Sequence, residues 1–549
     1  MRPLTMHLFI YYALFFLVEL TSASSDIESF RIPKWLSHID EQIMRKHSKI
    51  AEKRHEEAVK LALDHYPTDI LKLSQDSLKE NGDFLKGLKF HKFRIRASGS
   101  LPDYHDELGD APVFVTRRET PLFSRKECAE VIRMAETYYE GEIWPKLPSG
   151  QYYIQGFWIK DVPSVSEWFT KMCKARLFPL LKLQFPDFVD DIEDLVVDQA
   201  YLFKYKAEPG LRTEIHTDAG CLSFTFALNS IDDYEGGGTW VEGLECINNE
   251  DNSFQGGDVI EMDAGQCTVR PGGIRHCGNP LRKGTRYIIG GFCMSKKRVE
   301  TVRQLLATSD NKEGLEVAIK LNPMFDGVYP SVAHHYENEG DTKKAIQVLE
   351  DCLQIANPMS STASYYLGTI YYNQHQYEKA KECMKTCLKV DPSDGDAMGT
   401  LAQIMAQLGN PEEEYKLYQT IVSTPGVSKR ILSNAFCNLG TMQESDTNKE
   451  MDFYKKALEF EPNNVAALQS MGSVYASLKD WQNAIIFYQK VLKLDGENRE
   501  VLTLLYRCAT QQLRTEASPE QQSREAMMAR LSEIMGKSYM DQLLAANSR

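Results

Sequence analysis

Four side chains in the stretch Tyr201–Met294 have the types and the order of a metal site with an anion anchor: His216, Asp218, His276 and Arg286. His216-Thr217-Asp218 lies in an apolar-rich run, EIHTDAGCLSFTFAL. Read as a strand, that run points residues two apart to the same face, so an imidazole and a carboxylate can bind one ion. His276 follows after further strand-like runs and supplies a second imidazole. Two histidines and one carboxylate on one face of a metal leave three coordination positions open, an arrangement suited to Fe(II) and oxygen chemistry. Arg286 stands ten residues after His276, in the strand-like run Gly284-Thr285-Arg286-Tyr287-Ile288. A guanidinium fork held inside a barrel takes a carboxylate through paired charge-assisted hydrogen bonds. The H-x-D tripeptide carries little weight by itself, since such pairs are more often solvated or core-lining groups than ligands.

Longer motifs add to it. Ala227-Leu228-Asn229, Asp233-Tyr234-Glu235-Gly236-Gly237-Gly238-Thr239, Pro271-Gly272-Gly273-Ile274-Arg275-His276 and Lys283-Gly284-Thr285-Arg286-Tyr287-Ile288 stand in this order. Together they resemble the catalytic domain of the prolyl 4-hydroxylase and lysyl hydroxylase family of Fe(II)/2-oxoglutarate-dependent dioxygenases. The resemblance runs from about Pro112 to Met294 and includes Pro121-Leu122-Phe123-Ser124-Arg125-Lys126-Glu127-Cys128, which is similar to that domain's entry helix. It implies that His216, Asp218 and His276 bind iron and that Arg286 holds the distal carboxylate of 2-oxoglutarate. Tyr205, eleven residues before His216, and Thr285 are implied as hydrogen-bonding helpers. L-ascorbate is the implied reductant. Arginine at position 286, with the Tyr-Glu-Gly-Gly-Gly and Lys-Gly-Thr-Arg-Tyr runs, leans toward the lysyl type; prolyl 4-hydroxylases usually carry lysine there.

Such residues need a rigid frame. Glycines cluster at Gly236–Gly238, Gly256-Gly257 and Gly272-Gly273, and such clusters mark tight turns between strands. The expected fold over residues 112–298 is therefore an antiparallel double sheet, a double-stranded β-helix (jelly roll) with the metal in its mouth. A helical region is expected over 32–90, from apolar positions recurring near 3.6 in Glu41–Met44 and Glu57–Leu63. His91–Ala111 reads as a linker.

From about Phe325 the pattern becomes helical and repeating. Gly368 and Gly472 are each followed by a tyrosine three residues on and an alanine twelve on, Ala380 and Ala484. Their separation is about three periods of the 34-residue tetratricopeptide repeat (TPR), so an all-α TPR solenoid is expected over 325–512, with five helix pairs from Phe325 to Asn498 and a cap at Arg499–Gln512. The first unit (Ala333, Tyr336, Gly340, Ala345) and the fourth (Leu439-Gly440, Ala457, Pro462) fit less well. The third, about Gly395–Ser428, is degenerate. Tyr365, Tyr366, Tyr372 and Asn373 are candidates to line a partner-binding groove. Residues 518–549 read as a tail helix.

Composition narrows the class. The 549 residues are 42% hydrophobic and 26% charged, as in a globular chain, and the net charge of −14 gives no reason to expect nucleic acid. Arg2, the apolar run His7–Leu20 and Thr21-Ser22-Ala23 read as a signal peptide over residues 1–23, or as an uncleaved type II anchor. Either implies the secretory pathway, in the endoplasmic reticulum lumen or beyond, with membrane contact only through that segment. The twelve cysteines form no dense framework. His334, His335, His375, Asp232, Asp233, Arg275 and Cys277 are assigned to structure rather than chemistry. Three functions follow: hydroxylation of prolyl or lysyl side chains in a protein that the repeats capture, hydroxylation of a small molecule with the repeats used for assembly, or an inactive oxygenase-fold scaffold.

Overall fold

The computed structural model describes residues 32–67, 75–95, 112–140, 142–149, 152–218, 221–246, 259–307, 310–443, 446–516 and 524–547. The expected signal or anchor segment, 1–23, lies outside them. Among the described residues no helix is long and apolar enough to cross a membrane.

The first half of the chain is β-rich. Its strands are β1 (Phe90–Ile95), β2 (Val113–Thr116), β3 (Lys146–Ser149), β4 (Tyr152–Trp158), β5 (Leu195–Lys206), β6 (Leu222–Ala227) and β7 (Tyr234–Gly236). There follow β8 (Thr239–Val241), β9 (Leu244–Cys246), β10 (Val259–Ile260), β11 (Cys267–Pro271), β12 (His276–Gly278) and β13 (Leu281–Ser295). The larger sheet runs β3-β4-β5-β13-β6-β11-β2-β1-β9, with β7 attached to β13; a smaller one runs β10-β8-β12. Every pairing between these strands is antiparallel. The linker expected at His91–Ala111 is corrected at its start, because Phe90–Ile95 pairs with β2 on one side and β9 on the other.

Period-two alternation assigns the two faces of the large sheet. Val197, Ala200, Leu202, Phe224, Phe226, Val269 and Ile289 are buried against helices Arg125–Tyr138, Pro163–Met172 and Phe178–Gln184. The first of these helices starts on a reciprocal cap, Ser124 taking the Glu127 N–H while the Glu127 carboxylate takes that of Ser124. Tyr201, Phe203, Tyr205, Arg286, Ile288, Thr225 and Arg270 share the opposite face through the β5–β13–β6–β11 register. That face turns toward the small sheet and carries the polar groups.

The second half is an all-α array of helix pairs. Five stand in order: Tyr329–Asn338 with Thr342–Asp351, Ser361–Asn373 with Tyr377–Val390, Gly395–Gln407 with Pro411–Ser423, Lys429–Thr441 with Thr447–Phe460, and Val465–Ser477 with Trp481–Leu494. The degenerate third unit is thus a full pair. Ala380 and Ala484 are wholly buried, and Gly368 and Gly472 sit against Met384 and Tyr488. Helix Arg499–Glu516 caps the stack. Helices Thr301–Leu306 and Lys312–Leu321 stand ahead of the first pair, and the tail expected as one helix is two, Arg524–Met535 and Lys537–Asn547. Buried Leu531, Met535 and Met540 explain the tail's docking on the cap, which its polar composition concealed.

Helix Glu41–His65, begun by Asp40 accepting from the Ile43 N–H, joins the halves. Its buried Ala62 belongs to the β-rich core and its Ala51 to the core of the array. His47 Nε2 meets Glu313 at 2.8 Å, and Trp35 just ahead of the helix donates to Asp351 at 2.9 Å.

Candidate metal centre

His216 and His276 face each other across an isolated antiparallel bridge. His216 N donates to His276 O at 3.0 Å and His276 N to His216 O at 2.9 Å. The expectation that H-x-D lies on a regular strand is therefore corrected: the segment is extended and held by this bridge and by Asp218 N donating to Gly272 O at 2.8 Å. The consequence for the side chains is the one expected. Asp218 stands between the imidazoles, Oδ1 at 3.6 Å from His216 Nε2 and Oδ2 at 3.5 Å from His276 Nε2. One donor atom from each of the three lies within 4.8 Å of the others.

The second contacts of the imidazoles decide what the cluster can hold. His216 Nδ1 lies 2.7 Å from Glu214 O and His276 Nδ1 lies 3.0 Å from Ile274 O. A carbonyl accepts only, so each Nδ1 carries a proton, and in the neutral ring each Nε2 turns a lone pair toward the shared point. Burial opposes a second proton on His216, but Asp218 raises its pKa. Two such nitrogens and one carboxylate oxygen fit a divalent first-row metal. Burial pushes the His276 pKa down to about 3, with Arg270 adding to the effect, so its ring is neutral across ordinary pH. Burial alone would raise the Asp218 carboxyl, but His276, His216 and Arg270 outweigh it and hold the group well below the usual carboxylate range.

A cavity of about 290 Å³ opens beside the triad, walled by Tyr205, Thr239, Arg270, Ile288 and Phe292. Tyr205 lies on the inner face of β5 and lines the cavity, its hydroxyl pushed up to about 12 by burial. Arg286 is paired with Tyr205 across the β13–β5 ladder and is 1% exposed. Its guanidinium stands 5.6 Å from the Tyr205 ring centre and donates to Gly238 O at 2.8 Å and to Thr239 Oγ1 at 3.4 Å. Its Nε has no hydrogen-bond partner among the described residues. Gly237 and Gly238 make this approach feasible: their φ values of 74° and 89° are left-handed, and a Cβ on Gly238 would meet Val259 at 2.6 Å.

Thr285 is a correction. It pairs with Lys206, one register step from Arg286, so its side chain leaves by the other face. The threonine beside the arginine is Thr239. Arg270 was missed altogether. It lies in β11, fully enclosed, with Nη2 3.4 Å from Asp218 Oδ2 and Nη1 3.3 Å from Thr225 Oγ1. The signal was an arginine inside the otherwise uncharged strand Cys267-Thr268-Val269-Arg270-Pro271. Asp232 and Asp233 shape a turn before β7, and Cys277 is buried, as assigned.

Arg275, next to His276, ties the site to the helical array. It donates to Asp326 at 3.0 Å and to Ser361 Oγ at 2.8 Å, with Glu242 at 3.9 Å. Arg212 does the same on the other side, donating to Ser393 Oγ and Asp391, each at 2.8 Å. Between the two halves lies a cleft of about 430 Å³. Glu214 and Ile215 form one wall, continuous with His216; Tyr365, Tyr366, Asp394 and Asp396 form the other. Two of the four candidate groove residues thus line a cleft. Tyr372 packs instead on Tyr377, ring centres 5.7 Å apart.

Models of the tetratricopeptide repeat match residues 331–358, 361–394 and 467–502. The helical half is therefore a TPR solenoid. Among curated proteins, the chain is 25% identical to human tetratricopeptide repeat protein 6 over 189 residues, 34% of this chain and 35% of that protein. It is 26% identical over 144 residues to anaphase-promoting complex subunit 3 of Schizosaccharomyces pombe, 26% of this chain and 21% of that one. Human protein O-mannosyl-transferase TMTC1 is 25% identical over 200 residues, 30% of this chain and 22% of that protein. The chain spans about a third or less of these relatives' lengths. Among solved structures, YrrB, described as a TPR protein with an unusual peptide-binding site, aligns with a TM-score of 0.29 at 18% identity over 35% of this chain and 98% of its own.

Proposed function

We propose that the protein is an Fe(II)- and 2-oxoglutarate-dependent dioxygenase that hydroxylates a side chain of a protein captured by its repeats. The observation that carries the reading is the triad: His216, Asp218 and His276 converge with both imidazoles oriented by carbonyls, beside a cavity backed by a buried arginine. The two facing sheets are consistent with the double-stranded β-helix expected over 112–298. His216, Asp218 and His276 would hold the iron, and Arg286 with Tyr205 the far carboxylate of 2-oxoglutarate. Bound there, the metal supplies oxidative decarboxylation of the 2-oxo acid with O2, giving succinate, carbon dioxide and a hydroxylated C–H position; L-ascorbate would keep it reduced.

The chain's own residues do the rest. The mutual backbone bonds of His216 and His276 fix the spacing of the two nitrogens without help from the ion. Ile288 and Phe292 keep part of the cavity wall apolar, and the enclosure of Arg286 would strengthen its electrostatic hold on a carboxylate that reached it. The cleft between Glu214 and Tyr365 offers an extended polypeptide a route that ends at His216. Whether the residue presented is prolyl or lysyl is part of the proposal, and Arg286 favours the lysyl relatives.

A second reading is a protein-interaction scaffold with an idle oxygenase fold, which the repeat matches and the TPR-containing relatives support directly. On either reading the solenoid engages a protein partner. Succinate formation by Fe(II)-loaded protein with 2-oxoglutarate, with and without proline-rich or lysine-containing collagen-like peptides, separates the two. Peptide-stimulated succinate with a 16 Da gain on the peptide, lost in His216→Ala, is expected. Absence of succinate from iron-loaded wild type leaves the scaffold.

A further inference from the structure

Arg270 is the buried group in the cavity that the proposed chemistry leaves without a task. Arg270 and Asp218 line that cavity, each no more than 9% exposed, whereas Arg286 is enclosed against Tyr205 and Thr239. Asp218 is the one acidic side chain among the described residues that line it. A divalent metal on Asp218 competes for the one carboxylate that Arg270 has, and that contact is already long at 3.4 Å. Arg270 Nε has no hydrogen-bond partner among the described residues. Neither has Ser223 Oγ, cross-strand from Arg270 in the β11–β6 register, nor Thr268 Oγ1, two residues back on the same face. With Asp218 engaged by a metal, Arg270 would be a buried cation short of an anion, which is costly, and its fork beside free hydroxyls suits a carboxylate.

The register also separates the two arginines. Arg270 is level with Ser223 and, through it, with Phe292 on β13, six residues along that strand from Arg286. Asp218 is within reach of Arg270, while Arg286 stands behind Tyr205 and Thr239.

We propose that Arg270, oriented by Thr225, is a second carboxylate anchor on the flank of the triad away from Arg286. Resting on the oxygenase reading, the carboxylate has two sources. It is the metal-proximal carboxylate of the 2-oxo acid, held at both ends by arginines, or an acid group on the molecule that is oxidised. A side chain that merely steadied Asp218 would change metal binding and leave carboxylates alone.

The test uses the full chain loaded with Mn(II), with binding followed by calorimetry. Pyruvate, a 2-oxo acid with one carboxylate, probes the first source. Labelled succinate added at saturating 2-oxoglutarate probes the second. Arg286→Met is expected to weaken 2-oxoglutarate at least tenfold and pyruvate less than twofold. Arg270→Met is expected to weaken pyruvate at least tenfold if the 2-oxo acid is the source, or to abolish the succinate site if the substrate is. Arg270→Lys and Thr225→Val, which disturb the fold less, should give intermediate losses of roughly threefold in the same probe. The anchor is overturned if Mn(II) affinity falls in these variants while both carboxylate probes bind as in wild type, or if nothing changes. Wild type that binds Mn(II) but no 2-oxoglutarate refutes the oxygenase reading itself.

Discussion

Arg275→Met tests whether the helical array is mechanically part of the candidate metal centre. Arg275 is 5% exposed, and its guanidinium is shared by Asp326, Ser361 and, more distantly, Glu242. Burial alone would lower its pKa, but Asp326 and Glu242 outweigh that and raise it, so the charge is firmly held. Methionine keeps most of the volume and removes the charge. Asp326 then keeps Asn357 Nδ2, at 3.1 Å, as its side-chain donor, and a buried carboxylate loses its cation. Breaking one partner of such a pair costs about 3–5 kcal/mol. Removing both partners costs less, because Asp326 is then no longer a lone buried charge and only the more distant Glu242 loses a cation. Arg275→Met/Asp326→Asn should therefore recover about 2 kcal/mol or more of that loss. Urea midpoints for wild type, both single variants and the double variant give the cycle. Since His276 follows Arg275 directly, Mn(II) affinity measured on the same proteins should fall in the single variant and return in the double. A single-variant loss under about 1 kcal/mol, or a double variant no more stable than Arg275→Met, would refute the reasoning.

Other outcomes follow from the same geometry. Asp394 caps helix Gly395–Gln407, and burial, with Asp391 and Asp396 near it, pushes its carboxyl from an ordinary 3.8 up to about 6. A raised carboxyl penalises the folded state when ionised, fully above pH 6 and not at all below 3.8. Asp394→Asn, which can still accept the capping N–H groups, should add about 1–3 kcal/mol at pH 7.5 and nothing at pH 4, read as the Tm difference. Chelation should leave circular dichroism unchanged and lower Tm only by the mass-action term, about 3 kcal/mol at a hundredfold excess of metal over Kd, because the His216–His276 bridge is backbone-held. Unfolding on chelation would refute it. Arg212→Met should cost about 2–4 kcal/mol by stranding Asp391, with trypsin cutting newly exposed sites between the halves as the readout.

The grouping of His216, Asp218 and His276 was legible because these residue types in this order stand out, and the structure brings their donor atoms within 4.8 Å of one another. What the sequence concealed depends on register. Thr285 and Thr239 are equally plausible neighbours of Arg286 on paper, and only the pairing of Thr285 with Lys206 sends one of them to the wrong face. Arg270 looked like one arginine in a short strand until β11 was placed between β6 and β2. The strand Phe90–Ile95 was invisible because a strand of six residues with three basic or imidazole side chains lacks apolar alternation, and its place between β2 and β9 is a long-range fact. The helix pairs were easier, since each packs chiefly on its neighbour in sequence, and small residues such as Ala380 and Ala484 recur wherever two helices touch.

The third helix pair, the least regular in sequence, is the one pressed against the site. Asp391, Ser393 and Asp394 lead into it, and Gly426 at its end lies so near Pro280 that a Cβ would stand 2.5 Å from that ring. Its departures from the repeat pattern are the imprint of a second surface it must match. On the oxygenase reading, a polypeptide gripped by the solenoid is held by a body that is bolted, through Arg212 and Arg275, to the frame of the reactive centre. The array then behaves as a ruler: the position modified along a bound chain is fixed by its distance from the gripped segment, and the identity of the modified residue matters less than where it falls.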